Sequence, residues 1–452
     1  MEDIFKFYFV FVIASIILGK GGEASIVNDG DDGLLHPTPM LGFSSWNAFN
    51  INVDEEKIMQ TVDAIKKLKL DQYGYTYVII DDLWSEAERD EQDGRLKVNA
   101  SRFPSGIKYL SNYIHQKGLK FGIYANAGHK TCQGMAGSLG HEREDIQQFM
   151  EWEIDYLKLD NCYPYDGQEL YKMDPVKSLL HLPSMYQSPD EYSRFSKMAR
   201  ELRMKSRNVT LELCLYGWGN VEKWGKQIGG HLWRTAGDIK DRWPSLLANL
   251  DKNDEPRFVE NQGPNKGWNY PDALFVGKGG MKYVEYKSMF ALWCIVKSPL
   301  MLGTDLTTFH DKYLAMVTNQ ALLDINQDSL GVQATCRKNC CSKSKFGAMY
   351  PALSCPEFMN SWQVWSGPLS GGDFVVLLLN RYDHDIKDVR FDWSKDAKIP
   401  EGTYEVSDVW QPNTNESIII DTAKNKTWTV PLLGFHDNWT IRLKAVNDVG
   451  LP

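Results

Sequence analysis

The chain has 452 residues, enough for two or three domains with a substantial core. Its 15 Trp and 21 Tyr serve equally as core filling or as stacking faces for sugar rings, so composition does not choose between them. A net charge of −9 argues against nucleic acid or a polybasic membrane contact, both of which require a basic surface.

At the N-terminus, Phe7 to Leu18 form one apolar run, preceded by Lys6 and followed by small residues up to Ala24 and Ser25. The run is shorter than the roughly 20 apolar residues of a membrane span and fits a signal peptide over 1–24, with a tail over 25–36. The acidic Glu2 and Asp3 depart from the usual positive leader and leave a retained anchor open; stable insertion elsewhere is not expected. A secreted protein, or one delivered to a lysosome- or vacuole-like compartment, is therefore expected. Cys336, Cys340, Cys341 and Cys355 have no histidine among them, so two local disulfides are expected rather than a zinc site, with the pairing open. Asn99, Asn208, Asn415, Asn425 and Asn438 stand in glycosylation triplets.

Between about 37 and 330 an apolar run alternates with an amphipathic helix. Asp54 is predicted to cap a helix with Glu55 and Glu56 in its first turn, Lys66 and Lys67 in its last, and Ile58, Val62 and Ile65 on one face. Helices around Ile107–Ile114 and Ile146–Met150 follow the same rule. Strands are expected at 40–43, 75–82, 119–125, 154–160, 211–217, 232–237, 258–262 and 293–302. Eight such units fit a (β/α)8 barrel, with an open doubly wound sheet as the alternative. From about 331 to 452, runs at 373–380, 388–393, 403–410, 427–430 and 439–443 alternate apolar and polar residues between turn formers. That texture predicts an all-β antiparallel sandwich. Bracing the barrel, holding polysaccharide and forming a homodimer interface are all open roles for it.

Barrel active sites lie at the carboxyl ends of strands. Polar residues recur there: Trp46, Asp81 with Asp82, Tyr124, Lys158 with Asp160, Arg234 with Asp238, and Asp272. One such aspartate is commonly a cap or turn former; recurrence at most strand ends favours a site. Lys158 and Asp160 share one face of a strand, so the lysine is expected to keep Asp160 ionised. Asp238, beside Arg234 in a partly closed pocket, is expected to be raised and to act as an acid. Two carboxyls in unlike environments suit hydrolysis of a glycosidic bond.

The stretches LGFSSWNAF (41–49), YVIIDDLW (77–84), DYLKLDNCY (155–163), HLWRTAGDI (231–239) and GWNYPDAL (267–274) resemble the α-galactosidases, or melibiases, of glycoside hydrolase family 27. The resemblance continues in order through 121–141, 298–306 and 324–331. It implies a retaining enzyme acting on terminal α-galactosyl groups of oligosaccharides or glycoconjugates, with Asp160 as nucleophile and Asp238 as general acid/base. It also implies that Asp81 and Asp82 accept the 4- and 6-hydroxyls and that Trp46 walls the pocket. Tyr124, Lys158, Cys214, Arg234 and Asp272 would make further sugar contacts, and Cys132 would pair with Cys162. No metal or organic cofactor is implied. Ile51 and Leu83 replace a disulfide frequent in the family, and Tyr270 replaces an aspartate. Leu215 stands where many members carry a polar residue that contacts the 2-substituent. With Tyr216 and Trp218 it is bulky, which favours galactose over the acetamido sugar of the related α-N-acetylgalactosaminidases. The intact Asp81–Asp82 pair argues against a β-L-arabinopyranosidase. A galactose-binding protein without catalysis is the alternative from another class, as is a transglycosylase. The insertion over 163–192 is expected to wall the leaving-group side or to form a plain surface loop.

Overall fold

The computed structural model describes residues 36–164, 190–340, 361–411 and 418–446. The leader and tail up to 35, most of the insertion, Cys341, Cys355 and Asn415 lie outside the described residues.

Eight parallel strands follow one another in a single sheet: β1 (Leu41–Ser44), β2 (Tyr75–Ile80), β3 (Lys120–Asn126), β4 (Tyr156–Asp160), β5 (Thr210–Cys214), β6 (Leu232–Arg234), β7 (Trp268–Tyr270) and β8 (Leu300–Leu302). The spatial order is 7-6-5-4-3-2-1-8. The ring closes just past β7: Leu274 N–H donates to Met301 O (2.7 Å) and Gly303 N–H to Leu274 O (2.8 Å). Sequential order with closure excludes the doubly wound alternative, in which the order reverses at a switch point.

The first helix shows how local sequence sets the frame. Asp54 accepts the Lys57 N–H (2.9 Å) and opens the helix Glu55–Lys67, whose Ile58, Val62 and Ile65 are buried. Gly74, with φ 94°, turns the chain into β2.

Two predicted strands are corrected. Phe258 belongs to a short helix, Pro256–Val259, and the seventh strand is Trp268–Tyr270. Trp293 lies in the helix Tyr283–Ile295, leaving only Leu300–Leu302 as strand. That helix is apolar on all sides because it is enclosed between the barrel and the second domain, so its sequence carries no helical stripe.

The second domain holds a six-stranded antiparallel sheet in the order β14-β13-β16-β11-β10-β9, with β12 and β15 paired separately. These are β9 (Thr335–Lys338), β10 (Trp362–Pro368), β11 (Phe374–Asn380), β12 (Ile386–Asp392), β13 (Thr403–Asp408), β14 (Ile418–Asp421), β15 (Thr427–Leu433) and β16 (Asn438–Ala445). Val376, Leu378, Phe391, Trp393, Ile441 and Leu443 fill its core. Its contact with the barrel runs along Tyr283–Ile295, where Ser288 Oγ donates to His436 O (2.7 Å) and Lys287 pairs with Asp437 (2.9 Å). Arg381 grips Asp251 of the barrel with both terminal nitrogens (2.8 and 2.9 Å).

The structure pairs Cys336 with Cys340, and Cys132 with Cys162 as the resemblance implies. Among the glycosylation candidates, Asn208 and Asn425 are exposed and Asn99 is half-buried. Asn438 is overturned: it is 3% exposed, its Oδ1 accepts from Trp410 Nε1 (2.9 Å) and Thr440 Oγ1 (2.7 Å), and its Nδ2 donates to Ser288. A glycan has no room there. Among the described residues, no helix is long and apolar enough to cross a membrane.

Candidate active site

The carboxyl ends of the strands bring the predicted residues to one mouth. Along β4 every second residue faces the barrel axis, so Tyr156, Lys158 and Asp160 rise in a column. Across the sheet from them stand Thr210, Glu212 and Cys214 of β5, in register. The ladder thus stacks an apolar and hydroxyl layer, a charged layer and a carboxylate-bearing rim.

Asp160 is buried, and its two oxygens are held differently. Oδ1 accepts the Tyr216 hydroxyl (2.7 Å) and the Asn161 N–H (2.8 Å), while Oδ2 accepts the Tyr124 hydroxyl (3.0 Å). The Cys132 sulfur lies 3.2 Å from Oδ2 as a contact, since a disulfide sulfur has no proton to donate. The group Cys132, Asp160 and Cys162 has the spacing of metal ligands, but its sulfurs are joined and offer no thiolate. Behind it Asn126 exchanges two hydrogen bonds with Cys162, and Arg194 donates to Asn161 Oδ1 (2.6 Å) and Ala127 O (3.0 Å). These tie the loops after β3 and β4 into one support.

Asp238, beyond β6, is more open, its side chain 43% exposed. Arg234 Nη2 donates to Asp238 Oδ1 (3.1 Å) and pairs with Asp272 Oδ2 (2.9 Å). Asp272 Oδ2 also accepts the Ile239 N–H (2.9 Å), so Asp272 fixes both the arginine and the loop that carries Asp238. Leu83, Tyr216 and Asp272 all have positive φ (76°, 54° and 95°), a concentration of costly backbone at the rim.

Asp81 accepts from Lys158 Nζ (2.6 Å) and, through Oδ1, from the Asp82 N–H (2.9 Å). Asp82 accepts the Leu83 (2.7 Å) and Gln133 (2.9 Å) N–H groups. Burial pushes its carboxyl up to about 6 despite the donors around it. Trp46 sits half-buried on the short helix Ser45–Phe49 that follows β1. Cys214 is buried, and its thiol lies 3.8 Å from Arg234 Nη1; burial raises it well above the usual thiol range.

The expected proton placement is corrected. Lys158 makes its short ion pair with Asp81, just past β2, rather than with Asp160, so burial governs Asp160 and pushes it up. Lys158, the Tyr216 hydroxyl and the Asn161 N–H draw it back only in part. At Asp238 the pocket walls also push upward, but Arg234 and then Lys158 outweigh them and hold it below the usual range. The two carboxyls are therefore shifted opposite to the sequence expectation.

The reading of Leu215 is corrected too. Its side chain is 0% exposed and belongs to the main hydrophobic core, facing away from the pocket. The residue after it, Tyr216, turns inward instead. At Gly217, φ 81°, a Cβ would stand 2.1 Å from Thr235 O, so the loop closes this tightly on β6 only with glycine. Of the other departures, Ile51 is exposed, Leu83 packs against the core, and Tyr270 lies buried in the barrel interior.

Two residues were not anticipated in the roles they take: Tyr216, expected only to add bulk to the pocket, and Glu212. Tyr216 owes its direction to a positive φ, which sequence does not signal. Glu212 shares strand parity with Cys214, a signal that was present. It is 2% exposed, and its Oε2 accepts the Tyr156 hydroxyl (2.7 Å). Oε1 has no partner among the described residues. Burial pushes the Glu212 carboxyl up to about 7, against Lys158, Tyr156 and Arg234.

Two carboxyls in unlike settings at the mouth of one closed barrel are what cleavage of a glycosidic bond uses, and they put the chain in the class of barrel glycoside hydrolases. Comparison with known proteins narrows the class. Residues 38–328 match the family model described as alpha galactosidase A, and residues 359–441 match that of the alpha galactosidase C-terminal beta sandwich domain. The chain belongs to the α-galactosidase (melibiase) family of glycoside hydrolases. It is 38% identical over 378 residues to alpha-galactosidase 2 of Arabidopsis thaliana, covering 83% of this chain and 84% of that one. To the alpha-galactosidase of Oryza sativa it is 36% identical over 374 residues, 82% of this chain and 78% of that one. Among solved structures, the alpha-galactosidase of Saccharomyces cerevisiae with raffinose is 27% identical. Its TM-score is 0.74, with 91% of this chain and 98% of that one covered.

Proposed function

We propose that the protein is a retaining α-galactosidase that removes terminal α-galactosyl groups from oligosaccharides or glycoconjugates, with Asp160 as nucleophile and Asp238 as general acid/base. The observation that carries this reading is the contrast between the two carboxyls: one buried under three hydrogen-bond donors, the other open and gripped by Arg234.

In the first step an Asp160 oxygen bonds to C1 of galactose, the bond from C1 to the leaving oxygen breaks, and that oxygen takes the Asp238 proton. In the second, water bonds to C1, its proton passes to Asp238, and Asp160 departs as carboxylate. A seated sugar displaces water from the exposed face of Asp238, which raises that carboxyl and favours the protonated form the first step needs. The donors on Asp160 favour the charge it must carry. In this reading Asp81 and Asp82 accept the 4- and 6-hydroxyls, and Trp46 offers an apolar face for the ring. The raffinose bound by the yeast relative agrees with an α-galactoside substrate.

The same reading has residues 1–24 removed on export and the barrel spanning 37–330. The sandwich spans 331–452, and glycans sit on Asn99, Asn208 or Asn425. Asp160→Asn tests the centre. Turnover of an aryl α-galactoside falls by several orders of magnitude while galactose still binds; undiminished turnover refutes the nucleophile. Wild-type binding of galactose without hydrolysis would favour a galactose-binding protein.

A further inference from the structure

We propose that the Tyr216 hydroxyl is a catalytic hydrogen-bond donor that speeds release of the galactosyl group from Asp160, an inference that rests on Asp160 being the nucleophile. Asp160 is served by two phenols from opposite sides, and they divide its oxygens. Among the described residues, Oδ1 carries two donors, Tyr216 and the Asn161 N–H, whereas Oδ2 carries only the Tyr124 hydroxyl. The oxygen with fewer donors keeps more of its electron density for attack, so Oδ2 forms the bond to C1 and Oδ1 becomes the ester carbonyl.

The Tyr216 ring is held for this task. Its backbone is reversed at φ 54°, and the following Gly217 donates to Arg234 O (2.9 Å) and accepts from Arg257 Nη2 (2.8 Å). The Arg234 guanidinium lies 5.6 Å from the ring centroid, and Trp218 meets the ring edge-on at 5.6 Å. A phenol fixed in this way need not reorganise as charge develops.

The two chemical steps feel this donor differently. While Oδ2 attacks, a donor on Oδ1 holds charge back from the forming bond. When water adds to C1, the C1–Oδ2 electron pair returns to Asp160 and negative charge reappears on Oδ1, where the phenol strengthens its hydrogen bond. The donor therefore helps the second step and restrains the first.

The test is Tyr216→Phe, which keeps the ring and its contacts and removes only the hydroxyl. With a dinitrophenyl α-galactoside, whose good leaving group makes the second step limiting, kcat is expected to fall about 10- to 100-fold, the worth of one hydrogen bond to a charged group. Under the same conditions kcat/KM, which reports the first step, stays within about threefold of wild type, and intact-protein mass spectrometry shows a galactosyl adduct. Equal loss in kcat and kcat/KM with no adduct overturns the proposal, as does an unchanged kcat. If the variant folds poorly, azide reports the same step in wild type and in Tyr216→Leu. Azide attacks the adduct directly, so with a poor leaving group, where the first step limits the wild type, it should raise kcat in the hydroxyl-free variant and leave wild type unmoved; no difference between them overturns the idea. Should Asp160→Asn keep its turnover, the nucleophile reading itself fails. A dead Asp160→Asn beside a Tyr216→Phe with wild-type kinetics refutes only the role of the phenol.

Discussion

Glu212→Gln isolates the cost of a buried proton site beneath the pocket. The carboxyl is 2% exposed and accepts one hydrogen bond, from Tyr156, while its other oxygen is unpartnered among the described residues. Burial raises it from the usual 4.5 to about 7, with Lys158 and Arg234 too far committed to other carboxylates to prevent it. A group whose folded pKa is raised stabilises the fold fully below the unfolded value and loses that contribution as pH rises through the folded one. Between 4.5 and about 7, at about 1.36 kcal/mol for each tenfold change in proton affinity, the loss is about 3 kcal/mol. Glutamine copies the protonated form: its carbonyl still accepts from Tyr156 and it has nothing to ionise. The stability of Glu212→Gln relative to wild type should therefore swing in the variant's favour by about 3 kcal/mol between pH 4.5 and pH 8. Urea unfolding followed by tryptophan fluorescence at both pH values measures the swing. A difference between the two proteins that stays constant with pH would show that Glu212 titrates normally and that the argument from burial is wrong.

Leu215→Ala removes a core side chain, so it should cost about 2–5 kcal/mol by thermal or chemical unfolding. The ratio of activity on α-galactoside to that on α-N-acetylgalactosaminide should stay as in wild type, because the residue faces away from the sugar. Glycopeptide mass spectrometry of protein from a glycosylating host should find Asn438 bare. Asn438→Ala, which strands Trp410 Nε1 and the Thr440 hydroxyl, should lower stability by about 1–3 kcal/mol.

What the sequence disclosed follows from how local each feature is. Asp54, the acidic first turn and the basic last turn act within one helix, and that helix appears as expected. β2, β3 and β4 are runs long enough to be recognised, and the strand-end carboxylates follow from them. The short β7 and β8 were hidden, since three residues carry no periodicity and the neighbouring enclosed helix imitates a buried strand. Within the site, parity correctly set Lys158 on the face of Asp160 but did not disclose that Asp81 lies across the barrel at 2.6 Å. The same limit produced the error at Leu215: the left-handed Tyr216 turns its own side chain to Asp160 while Leu215 enters the core.

The charges of the mouth explain why such a site awaits a polyol. Among the described residues, Asp81, Asp160, Glu212, Asp238 and Asp272 face the cations Lys158 and Arg234, each of which is shared, while Asp82 stands beside Asp81. Lys158 draws on Asp81 and Asp160 together, and Arg234 on Asp238 and Asp272, so no carboxylate is fully neutralised. Burial is the main cause of the elevated positions of Asp82 at about 6 and Glu212 at about 7, and the charge of neighbouring Asp81 adds to it in both. The pocket is thus rich in acceptors and poor in donors. A galactosyl group brings several hydroxyl donors and no charge, which satisfies the carboxylates without adding to their repulsion, whereas an anionic sugar would meet it undiminished. Preference for a neutral, hydroxyl-rich ligand is consequently written into the imbalance between acids and bases as well as into the shape of the barrel mouth.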